Sequence, residues 1–74
     1  MTRYRLHSDQ VSNTVGIVRM GIALYPFSQN QQKIRTLLVQ SYDGLTEEAA
    51  HQLLSRQVPY WIEGEAIVFE SGNP

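Results

Sequence analysis

The chain lacks cysteine altogether, so disulfide bonds, thiolate metal ligands and cysteine nucleophiles are excluded. It also lacks any apolar run near the ~20 residues that a membrane-spanning helix needs. Its first residues lack the apolar core of a signal peptide. Net charge is small too, because six basic residues stand against seven acidic ones. These absences predict a cytoplasmic protein that neither enters nor crosses a membrane.

A chain of 74 residues is expected to form one domain, here predicted over residues 1–70 with a mobile tail at residues 71–74. Domains of this size bury only about 60% of the surface that the unfolded chain exposes, so a core without covalent or metal support is marginal. The 42% of hydrophobic residues is still enough to fold the chain. We therefore expect self-association, or docking onto a larger partner, to contribute stability.

One main helix is predicted at residues 46–57. Thr46 is a suitable N-cap, and Glu47 and Glu48 lie in the first turn, where the helix dipole favours anions. Pro59 prevents the helix from continuing. These signals agree, so this helix anchors the predicted fold.

Strands are predicted at both ends of the chain. Residues 2–7 alternate, with Tyr4 and Leu6 on one face, and this pattern indicates a strand at the edge of a sheet. A short strand at residues 60–62, a tight turn and a final strand at residues 65–70 follow the helix. The fold class is therefore α+β, a small and mostly antiparallel sheet of three to five strands packed on the main helix.

Residues 15–27 form the most hydrophobic segment, and their β-branched residues together with Gly16 and Gly21 favour a strand over a helix. Both faces of this strand would be apolar, so one face should meet the core and the other a second layer or a second molecule. The residues predicted to bind a partner here are Met20, Ile22 and Leu24.

Residues 33–42 fit two structures. The favoured interpretation is a strand that pairs with residues 15–27 in a hairpin, with Tyr25 opposite Arg35. The alternative is a helix that Ser28 caps and Gly44 ends. Followed by the main helix, it would form a helix-turn-helix-like pair and favour DNA binding.

Charge is divided between the two halves of the chain. Residues 1–35 carry a net charge of +4 and residues 36–74 carry −5. The two halves could attract each other within the fold or between copies, and the basic half could attract an anionic partner. The candidate contacts to an anion or a nucleic acid are Arg3, Arg5, Arg19, Lys33 and Arg35, with Tyr4 and Tyr25 available to stack on bases.

A second candidate contact surface is the run Val58-Pro59-Tyr60-Trp61-Ile62. Tyr60 and Trp61 are predicted to bind a partner, because aromatic residues dominate interface hot spots and a neighbouring proline stiffens their backbone. The alternative is that Trp61 only closes the core.

No catalytic, cofactor or metal site can be assembled from the sequence. A serine nucleophile would need His7 or His51 as its base, and no motif exposes such a serine. His51 stands four residues after Glu47, but a metal site needs a third ligand. Glu63 and Glu65 lie near Trp61 in a turn, where carboxylates usually remain solvated.

The sequence thus predicts a non-enzymatic, small protein-binding or assembly module, an adaptor that acts as a homodimer or as a subunit of a larger complex. The alternative is a nucleic-acid-binding regulator that uses the basic first half, and such binding would weaken steeply with salt. Replacing Trp61 with alanine is expected to abolish partner binding and leave the fold intact.

Overall fold

The computed structural model describes residues 1–72. Along the chain, one strand is followed by three helices and then by two further strands. In chain order the elements are β1 (Thr2–Leu6), α1 (Thr14–Leu24), α2 (Gln31–Ser41), α3 (Glu47–Leu54), β2 (Tyr60–Glu63) and β3 (Ala66–Ser71). A single 3-10 turn, Tyr25–Phe27, follows α1 directly. The predicted α+β class is confirmed, with three strands, but there are three helices instead of one: α1 and α3 contact the sheet, and α2 packs on α3.

The sheet is antiparallel in the order β1-β3-β2, so the last strand of the chain is central and β1 lies at an edge, as predicted. The register sets Tyr4 and Tyr60 on either side of Phe69, and these rings face the helices. Tyr4 and Phe69 stack with ring centroids 5.2 Å apart. Residues 66–69 are all buried: Ile67 and Phe69 face the helices, and Val68 lies on the outer face between its register partners Arg5 and Trp61.

The predicted strand at residues 15–27 is wrong, since this segment forms α1 and the 3-10 turn. The side chain of Asn13 caps α1 by accepting from the Gly16 backbone N–H at 3.2 Å. A Cβ on Gly21 would lie 3.2 Å from Leu54 Cδ2, so glycine allows α1 to pack closely on α3. Capping and packing therefore outweigh the roughly 1 kcal/mol that each glycine costs a helix interior.

The favoured strand at residues 33–42 and its hairpin with residues 15–27 are also wrong, and the helical alternative is confirmed as α2. Asn30, and not Ser28, is its N-cap residue. Gly44 adopts a φ of 82° in the turn that leads to α3. Short local patterns cannot distinguish a buried strand from a buried helix, and in the helix that forms, Leu38 packs into the core.

The main helix appears as α3, which begins where predicted and ends three residues earlier. Thr46 Oγ1 accepts from the Ala49 backbone N–H at 3.1 Å, so the predicted cap is confirmed. The helix contacts α1, α2 and β3, and its Ala50, Leu53 and Leu54 are buried in the core. α3 is thus the central helix of the fold.

The C-terminal strand extends one residue further than expected. Ser71, assigned above to the tail, belongs to β3 and is buried, and Gln52 Oε1 accepts from the Gly72 backbone N–H at 3.1 Å. The rest of the predicted tail, residues 73–74, lies outside the described residues.

Candidate functional site

The largest exposed apolar residues of the chain include a set on α1 and the turn that follows it. Ile17, Met20 and Leu24 are 44%, 64% and 55% exposed, and Phe27 is 86% exposed. The first three are spaced i, i+3 and i+7, which places them on one side of the helix. The core-facing residues of α1 are Thr14, Val18 and Ile22, on a different side. These four exposed residues are called the α1 outer face below.

The five residues predicted to bind a partner are divided by the structure among four places. Met20 and Leu24 lie on the α1 outer face, whereas Ile22 is 6% exposed and belongs to the core. Tyr60 is half-buried at the wall of a cavity beside α1, and Trp61 lies on the face of the sheet away from the core. The strand prediction placed Met20, Ile22 and Leu24 on one face, and this grouping is wrong, because in the helix Ile22 faces the core while Met20 and Leu24 face outward.

Sequence reasoning missed Ile17 and Phe27 as candidates for this surface. The signal was present, because Ile17, Met20, Leu24 and Phe27 recur at intervals of three and four. This spacing was not recognised because the segment was assigned as a strand. Side chains alternate between the two faces of a strand, so Ile17 and Met20 fell on opposite faces.

Trp61 is part of a small polar cluster on the outer face of the sheet. The Arg3 guanidinium lies 5.3 Å from the centre of the indole ring, and Trp61 Nε1 donates to Glu63 Oε2 at 2.8 Å. Arg3 Nη2 lies 3.5 Å from the same carboxylate oxygen. Trp61 is 37% exposed and lies outside the core cluster, so this ring covers the sheet instead of closing the core.

The five candidate cations do not form one patch. Arg3 and Arg5 lie on the outer face of β1, Arg19 lies on α1, and Lys33 and Arg35 lie on α2. Arg3 has Glu63 as its partner, and Arg35 Nε is 3.8 Å from Glu47 Oε1.

The outer sheet face holds two arginines and two glutamates, so it has no net charge. Arg3, Arg5, Glu63 and Glu70 occupy it, according to the strand register. The tyrosines proposed for base stacking are not available there, because Tyr4 packs against the core and Tyr25 is 1% exposed. A basic face with interleaved aromatic rings is therefore not formed by these residues.

A buried hydrogen-bond cluster joins the three helices at Tyr25. Arg35 Nη1 donates to the Tyr25 hydroxyl at 2.8 Å, and the same hydroxyl is 2.6 Å from His51 Nδ1. A guanidinium can only donate, so the Tyr25 hydroxyl accepts from Arg35 and shares a second hydrogen bond with the imidazole of His51. The buried hydroxyl thus has two hydrogen-bond partners, as a polar group in a core requires.

Three of the other candidate chemical groups are engaged by other side chains, and the fourth, Glu65, is exposed. Glu47 lies nearest Arg35 and His51 bonds to Tyr25, so these two do not form a shared site. Glu63 accepts from Trp61, and Glu65 is exposed in the hairpin turn. Within residues 1–72, no three acidic or histidine side chains come together in a way that could hold a metal ion.

Comparison with known proteins yields no relative: no family model, no curated protein and no solved structure matches the chain. None of the helices in the described part of the chain has both the length and the apolar character needed to cross a bilayer.

Proposed function

We propose that this protein is a non-enzymatic protein-binding module that assembles with a second copy of its own chain through the α1 outer face. The observation that carries the proposal is the exposure of Ile17, Met20, Leu24 and Phe27 along one side of α1 and its continuation. A contiguous apolar surface of this kind is unfavourable in water and marks an interaction site.

The side of α1 that carries Ile17, Met20 and Leu24 has no charged side chain. A second copy suits this face because two identical apolar faces can pack together without burying a charge. An antiparallel pair of α1 helices related by a two-fold axis near Met20 would set Ile17 of one copy against Leu24 of the other. Burying the four exposed side chains on both copies would remove about 1,000 Å² from water, the lower limit for a specific interface. We therefore expect a reversible dimer with a dissociation constant on the order of 10 µM.

Light scattering on the isolated chain tests this proposal across concentration, at low and at high salt. A dimer held by apolar contacts is expected to persist at high salt and to dissociate when Met20→Asp and Leu24→Asp are combined. Gln32→Asp with Gln40→Asp, which adds the same charge to exposed positions on α2, is the matched control and should leave the dimer intact. A chain that remains monomeric at millimolar concentration would contradict self-association.

Trp61→Ala provides a separate test of the predicted aromatic contact. Because Trp61 lies outside the core cluster, the variant is expected to remain folded, so any change in association reports on the outer sheet face. If Trp61→Ala leaves the dimer intact and Met20→Asp with Leu24→Asp dissociates it, the contact surface is α1 alone.

Nucleic-acid binding is the second candidate, and one observation favours it: α2 and α3 form a helix pair joined by a short turn. Two negative charges oppose DNA binding by this pair, because Glu47 and Glu48 occupy the first turn of α3, where a recognition helix contacts bases. A titration with duplex DNA at about 50 and 200 mM salt distinguishes the candidates. Tight binding that falls steeply with salt, and that Lys33→Ala on α2 weakens, would favour this candidate over protein binding.

A further inference from the structure

Beside α1, a groove of about 710 Å³ lies between this helix and the segment that follows α3. Its lining includes apolar side chains and two cations: Arg19, Ile22, Leu53, Arg56, Val58 and Tyr60. The volume lies within the range of sites that bind small molecules or peptide side chains. These residues define the arginine groove.

The two cations of the arginine groove have no counter-charge. No acidic residue lines the groove, and neither Arg19 nor Arg56 makes an ion pair or a side-chain hydrogen bond within residues 1–72. Arg3 and Arg35, by contrast, each have a glutamate partner. Two like charges that border an apolar surface favour an anion there, because a carboxylate can bind each guanidinium through charge-assisted hydrogen bonds.

The backbone of Arg56 gives a second, independent indication. Its φ is 64°, the left-handed conformation in which glycine is usual after a helix. The Arg56 backbone N–H donates to the Leu53 carbonyl at 3.2 Å and the Gln57 N–H donates to the Gln52 carbonyl at 2.9 Å. This pair of bonds is the Schellman ending of α3, in which glycine would be more stable than arginine. Strained residues of this kind cluster at functional sites, and the arginine side chain here lies in the groove.

We propose that the arginine groove binds an acidic segment of a partner protein in which a carboxylate side chain lies beside an apolar one. The carboxylate would contact Arg19 and Arg56, and the apolar side chain would cover Ile22, Leu53 and Val58. The groove shares α1 with the α1 outer face, and the inference rests on the proposed protein-binding function. A nucleic acid fits less well, because phosphates gain nothing from the apolar lining and only two cations line the groove.

Fluorescence anisotropy with a labelled twelve-residue peptide of alternating glutamate and leucine tests the proposal. Its counterpart of alternating glutamine and leucine is the matched probe without charge. We expect the acidic peptide to bind, and Arg19→Gln or Arg56→Asn to weaken its binding at least about tenfold. Asparagine is chosen at position 56 because it tolerates a positive φ. Lys33→Gln removes the same charge elsewhere and should have little effect.

Arg56→Gly separates a binding role from a structural one. Glycine relieves the backbone strain, so we expect the melting temperature to rise by ~4 °C while binding of the acidic peptide is lost. A variant that loses stability would show that Arg56 serves the fold, which would overturn the proposal.

The remaining outcomes are also decisive. Equal binding of the two peptides, or an equal loss in Lys33→Gln, would overturn the carboxylate site. Tighter, arginine-dependent binding of a single-stranded DNA probe would replace it with a nucleic-acid site. Light scattering reports on the α1 outer face independently, so a chain that dimerises but ignores the peptide overturns only the groove. A monomer that binds the peptide overturns only self-association.

Discussion

At the scale of single residues, Tyr25 shows how one hydroxyl can connect three helices. It lies directly after α1, accepts from Arg35 of α2 and is bonded to His51 of α3. The hydroxyl is deeply buried, so each of these bonds replaces one that water would otherwise make. A side chain that sequence reasoning assigned to base stacking is therefore a structural centre of the core.

Tyr25→Phe is expected to lower the free energy of unfolding by about 2 kcal/mol, because it leaves the Arg35 guanidinium and the His51 ring without their shared partner. Urea denaturation followed by circular dichroism measures the change. Tyr4→Phe is the matched control, since the Tyr4 ring stacks on Phe69 and its hydroxyl makes no hydrogen bond within residues 1–72. Equal losses in the two variants would mean that the hydroxyl of Tyr25 contributes nothing specific.

At the scale of elements, the start of α1 depends on a local arrangement of Asn13 and Gly16. Asn13 has a φ of 59°, and its side chain folds over the first turn to reach the Gly16 backbone N–H. A Cβ on Gly16 would lie 2.5 Å from Asn13 Nδ2, so the glycine makes room for the cap. The glycine that appeared to oppose a helix therefore helps this one to begin.

Two substitutions at Asn13 test this account of α1. Asn13→Ala should destabilise the fold by about 2 kcal/mol, because it removes the cap and places alanine in a left-handed conformation. Asn13→Gly removes only the side-chain bond and should cost a few tenths of a kcal/mol. Thermal or urea denaturation of the pair gives the difference, and similar losses in both would refute the conformational part of the explanation.

At the scale of the whole molecule, the division of charge along the chain acts within the fold. Arg3 with Glu63 and Arg35 with Glu47 are the ion pairs of residues 1–72, and each joins the basic half to the acidic half. Arg3 and Glu63 are 59% and 46% exposed, so water and salt screen their attraction. The pairs thus help to orient the halves but add little to stability.

We expect the unfolding free energy to change by less than about 1 kcal/mol between about 20 mM and 500 mM sodium chloride, because surface ion pairs are individually weak. Melting curves at the two salt concentrations measure this at a protein concentration where the chain is monomeric. A large loss at high salt would show that the two halves attract each other more strongly than these exposed pairs allow.

The sequence by itself determined the features that depend on neighbouring residues. The cap at Thr46, the acidic first turn of α3, the alternation of Tyr4 and Leu6 in β1 and the final hairpin are all local, and the structure confirms them. The exposed apolar surface was also detectable as an excess of apolar residues in residues 15–27.

Only the tertiary structure decided whether residues 15–27 and 33–42 form helices or strands. Gly21 is favourable in α1 because Leu54, far along the chain, packs against it, and no local pattern contains that contact. Local sequence patterns do not predict the arginine groove either, since Arg19 and Arg56 line one cavity only after α1 and α3 have packed. Local helix propensities differ by about 1 kcal/mol or less per residue other than proline, whereas burial of a large apolar side chain contributes about 1.5–3 kcal/mol, so packing prevails where the two disagree.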